Sequence, residues 1–172
     1  MSPCTSGSPR RRKRIKKEKL PADFYIIRRM KEDDLFEVQA IERVSFPNPW
    51  QINTFRGEIH NHPISSPYVI VHRLDKRVIG HIILWHIQDE IQISNIAIHP
   101  DFRRMGIGES VLRQLLSQLK KGGVKFVSLE VRPSNVAAIK LYTKLDFEIL
   151  GIRKNYYHNP PEHAIVMAKY LV

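Results

Sequence analysis

The sequence predicts an α/β fold of the α+β kind, in which a mixed, mostly antiparallel central sheet is flanked by helices. Three observations predict it. Apolar segments at 68–72, 78–86 and 90–98 follow one another across short polar connections, which is typical of an antiparallel meander. A segment with leucines at helical spacing comes next, and strand, helix and two further strands complete the chain. No repeat of fixed period indicates a solenoid or a propeller.

The first elements begin at Phe24. A short strand is predicted at 24–27, and Asp33-Asp34 could then cap a helix that ends before Pro47. The apolar stripe of this helix is predicted to consist of Leu35, Val38, Ile41 and Val44. The prolines make 45–50 a constrained loop, after which a second short helix runs to about residue 61.

The second half alternates helix and strand. A glycine-bearing loop follows His99-Pro100, and the helix after it ends at Gly122-Gly123. A strand at 126–131, a helix at 136–145 and a strand at 147–152 form a β-α-β unit, and 164–170 is the final strand.

The charge of the chain is concentrated at one end. The 172 residues carry a formal charge of +11, and 42% of them are hydrophobic, as in an ordinary globular domain. Residues 1–20 hold eight Lys and Arg against Glu18 and few large apolar residues, so 1–22 are predicted to be a disordered basic tail and 23–172 one domain. Such a tail could attract ribosomes or RNA, or could simply be solvated.

Several classes of protein are excluded. The chain lacks the roughly 20 consecutive apolar residues of a membrane span and the apolar segment of a secretory signal, so a cytoplasmic protein is predicted. Cys4 is the only cysteine, which excludes an internal disulfide. The histidine pairs match no known metal-ligand motif and no G-x-S-x-G elbow occurs, so neither a metal nor a covalent intermediate is expected.

The loop 103–108, which reads RRMGIG, is the first candidate site. Glycines let backbone N–H groups approach an anion, and the N-terminus of the following helix favours negative charge. Arg103 and Arg104 would add positive charge. The spelling matches neither a P-loop nor a dinucleotide fingerprint, and a plain turn that opens a helix is the alternative.

Glu130 and Tyr142 are the second and third candidates. Strand alternation places Glu130 opposite Val127, Leu129 and Val131, either as a desolvated general base or as a polar residue on an exposed face. Tyr142 lies on the next helix and could return to the end of the same strand as a proton donor, or be a core residue with a satisfied hydroxyl.

Four motifs together resemble the GNAT N-acetyltransferase superfamily over most of residues 24–172. They are the strand NIAIHP at 95–100, the loop 103–108, LEVRPSN at 129–135, and the helix with Leu141-Tyr142. Within it the chain resembles the RimI-type ribosomal-protein-alanine N-acetyltransferases, through SFPNPW at 45–50 and RKNYY at 153–157. Asp146 departs from the pattern, since relatives usually carry glycine there; Asp tolerates the same left-handed conformation.

The resemblance implies acetyl-CoA as the donor of an acetyl group and a splayed strand pair that holds it. Its pyrophosphate would be bound by Arg103, Arg104, Met105, Gly106, Ile107 and Gly108. Its pantetheine would run beside Ile96, Ala97 and Ile98, with a further contact from Asn135. Glu130 would remove the proton of the amine, an N–H near Ile98 would stabilise the oxyanion, and Tyr142 would protonate the thiolate in a direct transfer.

The resemblance also implies the acceptor, the N-terminal α-amine of a protein, with an alanine-starting ribosomal protein as the favoured one. Phe46, Trp50, Tyr156 and Tyr157 could wall a slot for it, although aromatic residues also stabilise cores. A small amine or a lysine remains the alternative acceptor. A basic RNA-binding module is the alternative that is not an enzyme.

Overall fold

A computed structural model describes residues 23–60 and 63–171; the predicted tail 1–22, with Cys4, lies outside them. Seven strands form one sheet in the order β1-β2-β3-β4-β5-β7-β6. The strands are β1 Tyr25–Arg29, β2 Ser65–His72, β3 Val78–Ile87, β4 Glu90–Ile98, β5 Phe126–Val131, β6 Glu148–His158 and β7 Pro161–Tyr170. The helices are α1 Leu35–Ser45, α2 Ile52–His60, α3 Ile107–Lys121 and α4 Val136–Lys144.

The predicted mixed sheet is confirmed. β1 to β4 are successive antiparallel neighbours, and β4 and β5 are parallel. The final strand β7 inserts between β5 and β6, the two strands of the predicted β-α-β unit, and is antiparallel to both. β6 extends to His158, well beyond the predicted end at 152, because pairing with β7 resumes at Tyr157↔Glu162 after an irregularity.

The two central strands separate after a short parallel stretch. β4 and β5 pair only from Glu90↔Phe126 to Ile93↔Leu129. Beyond this point β4 continues along β3 and β5 continues along β7. A bulge at Ser94, which is skipped in the register with β3, lies where the strands diverge and adds to the local twist. The predicted splayed pair is therefore present.

Helices cover both faces of the sheet. Leu112 and Leu116 of α3 pack with Tyr142 of α4 on one face, and Val38 and Ile41 of α1 pack with Phe55 of α2 on the other. Among the described residues, no helix is both long and apolar enough to cross a membrane.

The predicted stripe of α1 is wrong at one position. Leu35, Val38 and Ile41 are buried, but Val44 is 59% exposed. At about 100° per residue, Val44 lies roughly 180° from Leu35 around the helix, whereas Glu42 lies within about 20° of it. A carboxylate therefore takes the place on the buried face that an apolar residue was expected to fill.

Candidate active site

A cavity of about 350 Å³ opens where β4 and β5 diverge. Residues from six parts of the chain line it: α1, the loop after α1, β4, β5, α4 with the loop before it, and β6. The sequence candidates that it brings together are Glu130, Tyr142, Ile96 and Asn135, with the aromatic residues Phe46, Trp50, Tyr156 and Tyr157. Two proton-transfer candidates and the predicted aromatic slot thus share one space.

Glu130 lies on the face of β5 opposite the buried Val127, Leu129 and Val131, as predicted. Its side chain is only 9% exposed. Oε2 accepts a hydrogen bond of 2.7 Å from Nε2 of Gln92, and Oε1 lies 3.0 Å from Nη1 of Arg153. The carboxylate is therefore largely withdrawn from solvent while both its oxygens have polar partners.

Tyr142 reaches the same cavity from α4. Asn135 positions the start of this helix, since its side chain accepts a hydrogen bond of 3.2 Å from the N–H of Ala138. The ring of Tyr142 lies 5.7 Å from that of Phe147. Burial raises the pKa of the Tyr142 phenol well above its usual value, and the nearby Tyr157 raises it further. The phenol therefore keeps its proton and can act as a donor.

The glycine-bearing loop leads directly into α3. Gly106 precedes the helix with φ of 86°, a left-handed conformation that favours glycine, and Arg104 has φ of 63°. Ser110 N–H bonds to Gly106 O, so the preceding N–H groups at the helix start have no acceptor within the helix. Their common direction and the helix dipole suit this end of α3 to a phosphate group.

The side chain of Arg103 points elsewhere. Its Nε donates to Ile98 O at 2.7 Å and its Nη2 to Oγ of Ser45 at 2.7 Å. The guanidinium thus ties the end of β4 to the end of α1, and its contribution of charge to the phosphate loop stays a prediction.

The open edge of β4 presents alternate backbone groups. His99 N–H bonds to Ile79 O, so the alternation of an antiparallel ladder directs Ala97 toward its partner His81 on β3. The same alternation directs the N–H and C=O groups of Ile96 and Ile98 toward the gap left by β5. Ile96 lines the cavity with Glu130 and Tyr142. The N–H of Ile98, near which the sequence placed the oxyanion donor, is thus directed into the same gap as the N–H of Ile96.

Three contacts close one wall of the cavity. Asn48 Nδ2 donates to Asn159 O at 2.7 Å, which joins the loop after α1 to the turn between β6 and β7. Arg132 donates to Pro160 O at 3.0 Å, and its guanidinium lies 3.9 Å from the centre of the Tyr157 ring. Burial raises the pKa of Tyr157 to about 12. The aromatic wall is thus held between two segments distant in sequence.

Sequence reasoning missed Glu42. This α1 residue lines the cavity, although it is only 1% exposed. Oε1 accepts from Trp50 N–H and from Nδ2 of Asn95, and Oε2 contacts Nε2 of His81, each at 3.1 Å. The one signal in the sequence was its position on the buried face of α1, which helical periodicity alone could have shown.

A sheet that opens between two parallel strands, a helix start suited to phosphate, and a cavity lined by both a carboxylate and a phenol are together typical of an acyltransferase site. The model of the acetyltransferase (GNAT) family matches residues 35–147. The chain belongs to this family and is an acetyl-CoA-dependent N-acetyltransferase.

Individual relatives are similar along most of their length. The ribosomal protein bS18-alanine N-acetyltransferase of Salmonella typhimurium is 37% identical over 137 residues, 78% of this chain and 90% of that protein. The crystal structure of the ribosomal-protein-S18-alanine N-acetyltransferase from Escherichia coli matches with a TM-score of 0.76 and 33% identity, over 86% of this chain and 94% of that one. Ard1 from Thermoplasma volcanium matches with a TM-score of 0.78 and 27% identity, over 87% and 99%.

Proposed function

We propose that the protein acetylates the N-terminal α-amine of an alanine-starting ribosomal protein, bS18. The observation that carries this proposal is the aromatic-walled cavity that Glu130 and Tyr142 both line. The names of the Salmonella and Escherichia relatives support the acceptor. They lend no support to a lysine, a small amine or RNA as the ligand.

Glu130 is the proposed base. An α-amine has a pKa of about 7.7–8.0, so much of it is protonated near neutral pH and cannot attack. Glu130 takes that proton, directly or through a water molecule, and Gln92 holds the carboxylate in place. Acetyl-CoA, when bound, supplies the thioester carbonyl that the freed amine attacks.

Ile96 and Tyr142 complete the transfer. The N–H of Ile96, directed away from β3, stabilises the negative charge that develops on the carbonyl oxygen. The C–S bond then breaks while the new C–N bond is kept, and Tyr142 donates its proton to the leaving sulfur. The nitrogen gives up its second proton as the amide forms, and this proton restores the Tyr142 phenol through water. No acyl-enzyme is required, because both substrates are held together on the protein.

The same geometry supports the proposed binding of acetyl-CoA. Backbone groups of Ile96 and Ile98 pair with the pantetheine as an added strand would. Ala97 contributes through packing, because its backbone faces His81. The proposed pyrophosphate contacts are backbone groups of Arg104, Met105, Gly106, Ile107 and Gly108, with Asn135 beside the cavity and Arg103 as a structural tie.

The remaining parts of the proposal concern location and the tail. We propose that residues 23–172 form the catalytic domain, that the protein works in the cytoplasm, and that the basic segment 1–22 contacts the ribosome or RNA. Deleting residues 1–20 tests the last point: ribosome co-sedimentation should weaken, and its salt dependence should become shallower. Unchanged co-sedimentation at every salt concentration would contradict it.

An acceptor competition tests the acceptor class. The wild-type protein receives acetyl-CoA with equal concentrations of an alanine-starting peptide, an amino-blocked peptide that contains lysine, and a polyamine. Mass spectrometry should find the acetyl group on the alanine α-amine in large excess. Preferred acetylation of lysine or of the polyamine would contradict the proposal.

A further inference from the structure

We infer that Glu42 is a positioning residue whose buried negative charge holds the α-ammonium of the acceptor in the cavity before proton transfer. This inference deepens the proposed function and rests on it. Glu42 is not the base. It acts across the cavity on the charge of the substrate and through the wall residues that it binds.

The fold places Glu42 and Glu130 close to the same point of the sheet, where β4 and β5 separate. Asn95, which donates to Glu42, lies two residues beyond Ile93, and Glu130 lies one residue beyond Leu129. Ile93 and Leu129 are the last pair before the strands separate. The bulge at Ser94 shifts the alternation of β4, so that Asn95 faces α1, the helix that carries Glu42. Glu42 and Glu130 consequently line one cavity.

The partners of Glu42 solvate its charge without neutralising it. They are the backbone N–H of Trp50, the amide of Asn95 and the ring of His81. Nδ1 of His81 is buried and has no hydrogen-bond partner among the described residues, so a second ring proton would have nothing to bond. Because an ionised carboxylate only accepts hydrogen bonds, His81 donates to Glu42 through Nε2.

The other charges around the cavity are already paired. Glu130 lies 3.0 Å from Arg153, and Arg132 lies 3.1 Å from Glu162. Once these two pairs are formed, Glu42 is the carboxylate that gives the cavity its negative character. In a partly desolvated site a full charge acts more strongly than in water, and an α-ammonium is the complementary ligand.

Glu42 also fixes the wall against which the acceptor lies. One of its oxygens holds both Trp50, in the loop after α1, and Asn95, on β4. Gln39 supports the same loop by donating from Nε2 to Trp50 O at 2.8 Å. A substitution at Glu42 could thus act through charge or through wall shape, and the experiment has to separate these effects.

Two peptides separate them. The first is an alanine-starting substrate, and the second has lactic acid in place of alanine, so that a hydroxyl replaces the ammonium. The inhibition constant of the lactyl peptide reports wall shape without the charge. Glu58→Gln is the matched control, because Glu58 is also a buried carboxylate, accepts from Nε1 of Trp85 at 2.9 Å, and lies outside the cavity lining.

Glu42→Gln should raise the KM for the alanine peptide about tenfold or more, while the KM for acetyl-CoA and the inhibition constant of the lactyl peptide stay within about twofold. Glu58→Gln should change none of the three. Equal weakening of both peptides, or an unchanged KM for the alanine peptide, would overturn the inference. Failure of the wild type to acetylate the alanine peptide would instead refute the proposed function.

A second variant keeps the inference testable if Glu42→Gln does not fold. Glu42→Asp retains the charge on a shorter side chain, so both peptides should bind more weakly. The ratio of the KM for the alanine peptide to the inhibition constant of the lactyl peptide should stay near that of the wild type. Circular dichroism verifies folding. If this ratio rises in Glu42→Asp as much as in Glu42→Gln, despite the retained charge, the inference is overturned.

Discussion

Nη1 of Arg153 lies 3.0 Å from Oε1 of Glu130, so an exposed guanidinium occupies one oxygen of the proposed base. Arg153 is 57% exposed, whereas Glu130 is 9% exposed. An ion pair with one partner in solvent is worth little, commonly about 0–1 kcal/mol, so Arg153 can leave at small cost. The positive charge of Arg153 nevertheless repels an approaching α-ammonium.

Replacing Arg153 by Gln should therefore lower the KM for an alanine-starting peptide, by about two- to fivefold. The reason is that the guanidinium beside Glu130 no longer repels the incoming ammonium. Steady-state kinetics at low ionic strength measure the effect. Lys154→Gln, an exposed cation at the next position, is the control and should leave the KM unchanged. A higher KM in Arg153→Gln would show that Arg153 binds the acceptor.

Removing the Tyr142 hydroxyl should slow the chemical step. Tyr142→Phe is expected to lower kcat by about 10²- to 10⁴-fold, the usual contribution of a positioned proton donor. Because burial raises the Tyr142 pKa, the phenol stays protonated through the alkaline range, and kcat of the wild type should show no loss from its ionisation up to about pH 10.

A pH profile of kcat for the wild type, Tyr142→Phe and the exposed control Tyr170→Phe makes this measurement. An alkaline decline near pH 9 that disappears in Tyr142→Phe would contradict the assignment.

Asp34 should stabilise the fold in a pH-dependent way. Burial opposes its ionisation, but hydrogen bonds from Arg28 and from Lys31 N–H prevail, so the pKa of Asp34 lies below its usual value. The stabilisation is therefore complete above the unfolded pKa of about 3.9 and is lost as pH falls through the lower folded value. Asp34→Asn should cost about 2 kcal/mol of unfolding free energy at pH 7.

Urea denaturation at several pH values measures the difference between the wild type and Asp34→Asn, which should shrink below about pH 4. Asp33→Asn, at an exposed neighbouring position, is the control. A difference that stays constant from pH 7 to pH 3 would exclude this carboxylate as the source.

The left-handed residue before α3 should matter for stability and for the cofactor. Gly106→Ala places a Cβ at φ of 86°, which should cost about 1 kcal/mol of stability and raise the KM for acetyl-CoA about tenfold by moving the helix start. Gly57→Ala is the control, for which the opposite change in stability is expected. Gly57 lies within α2 with open space around it, so alanine should raise the free energy of unfolding by about 0.5–1 kcal/mol. Calorimetry measures the stability of both variants, and steady-state kinetics measure their KM for acetyl-CoA. Equal changes in the two variants would contradict the role given to Gly106.

The order of elements could be predicted from the sequence because each has its own local signal. The leucine spacing of α3 and the alternation around Glu130 depend on neighbouring residues, and both elements have close to their predicted bounds. The insertion of β7 between β5 and β6 had no such signal, because it depends on pairing between segments distant in sequence.

Part of the candidate site could also be predicted from local motifs, whereas the contacts that depend on packing could not. The motifs indicated Glu130 and Tyr142, which the fold brings to one cavity. The hydrogen bond from Arg103 to Ser45 had no signal in the sequence, because it depends on how α1 packs, which no local pattern encodes. Glu42 was missed because a charged residue on an apolar stripe was overlooked in favour of Val44.

The most direct test of the account is the acetyl-CoA-dependent mass gain of an alanine-starting peptide with the wild type, Glu130→Gln and the exposed control Glu148→Gln. We expect one acetyl group on the α-amine with the wild type and the control, and a rate reduced about 10²-fold or more with Glu130→Gln. A full rate with Glu130→Gln, or no transfer by the folded wild type, would contradict it.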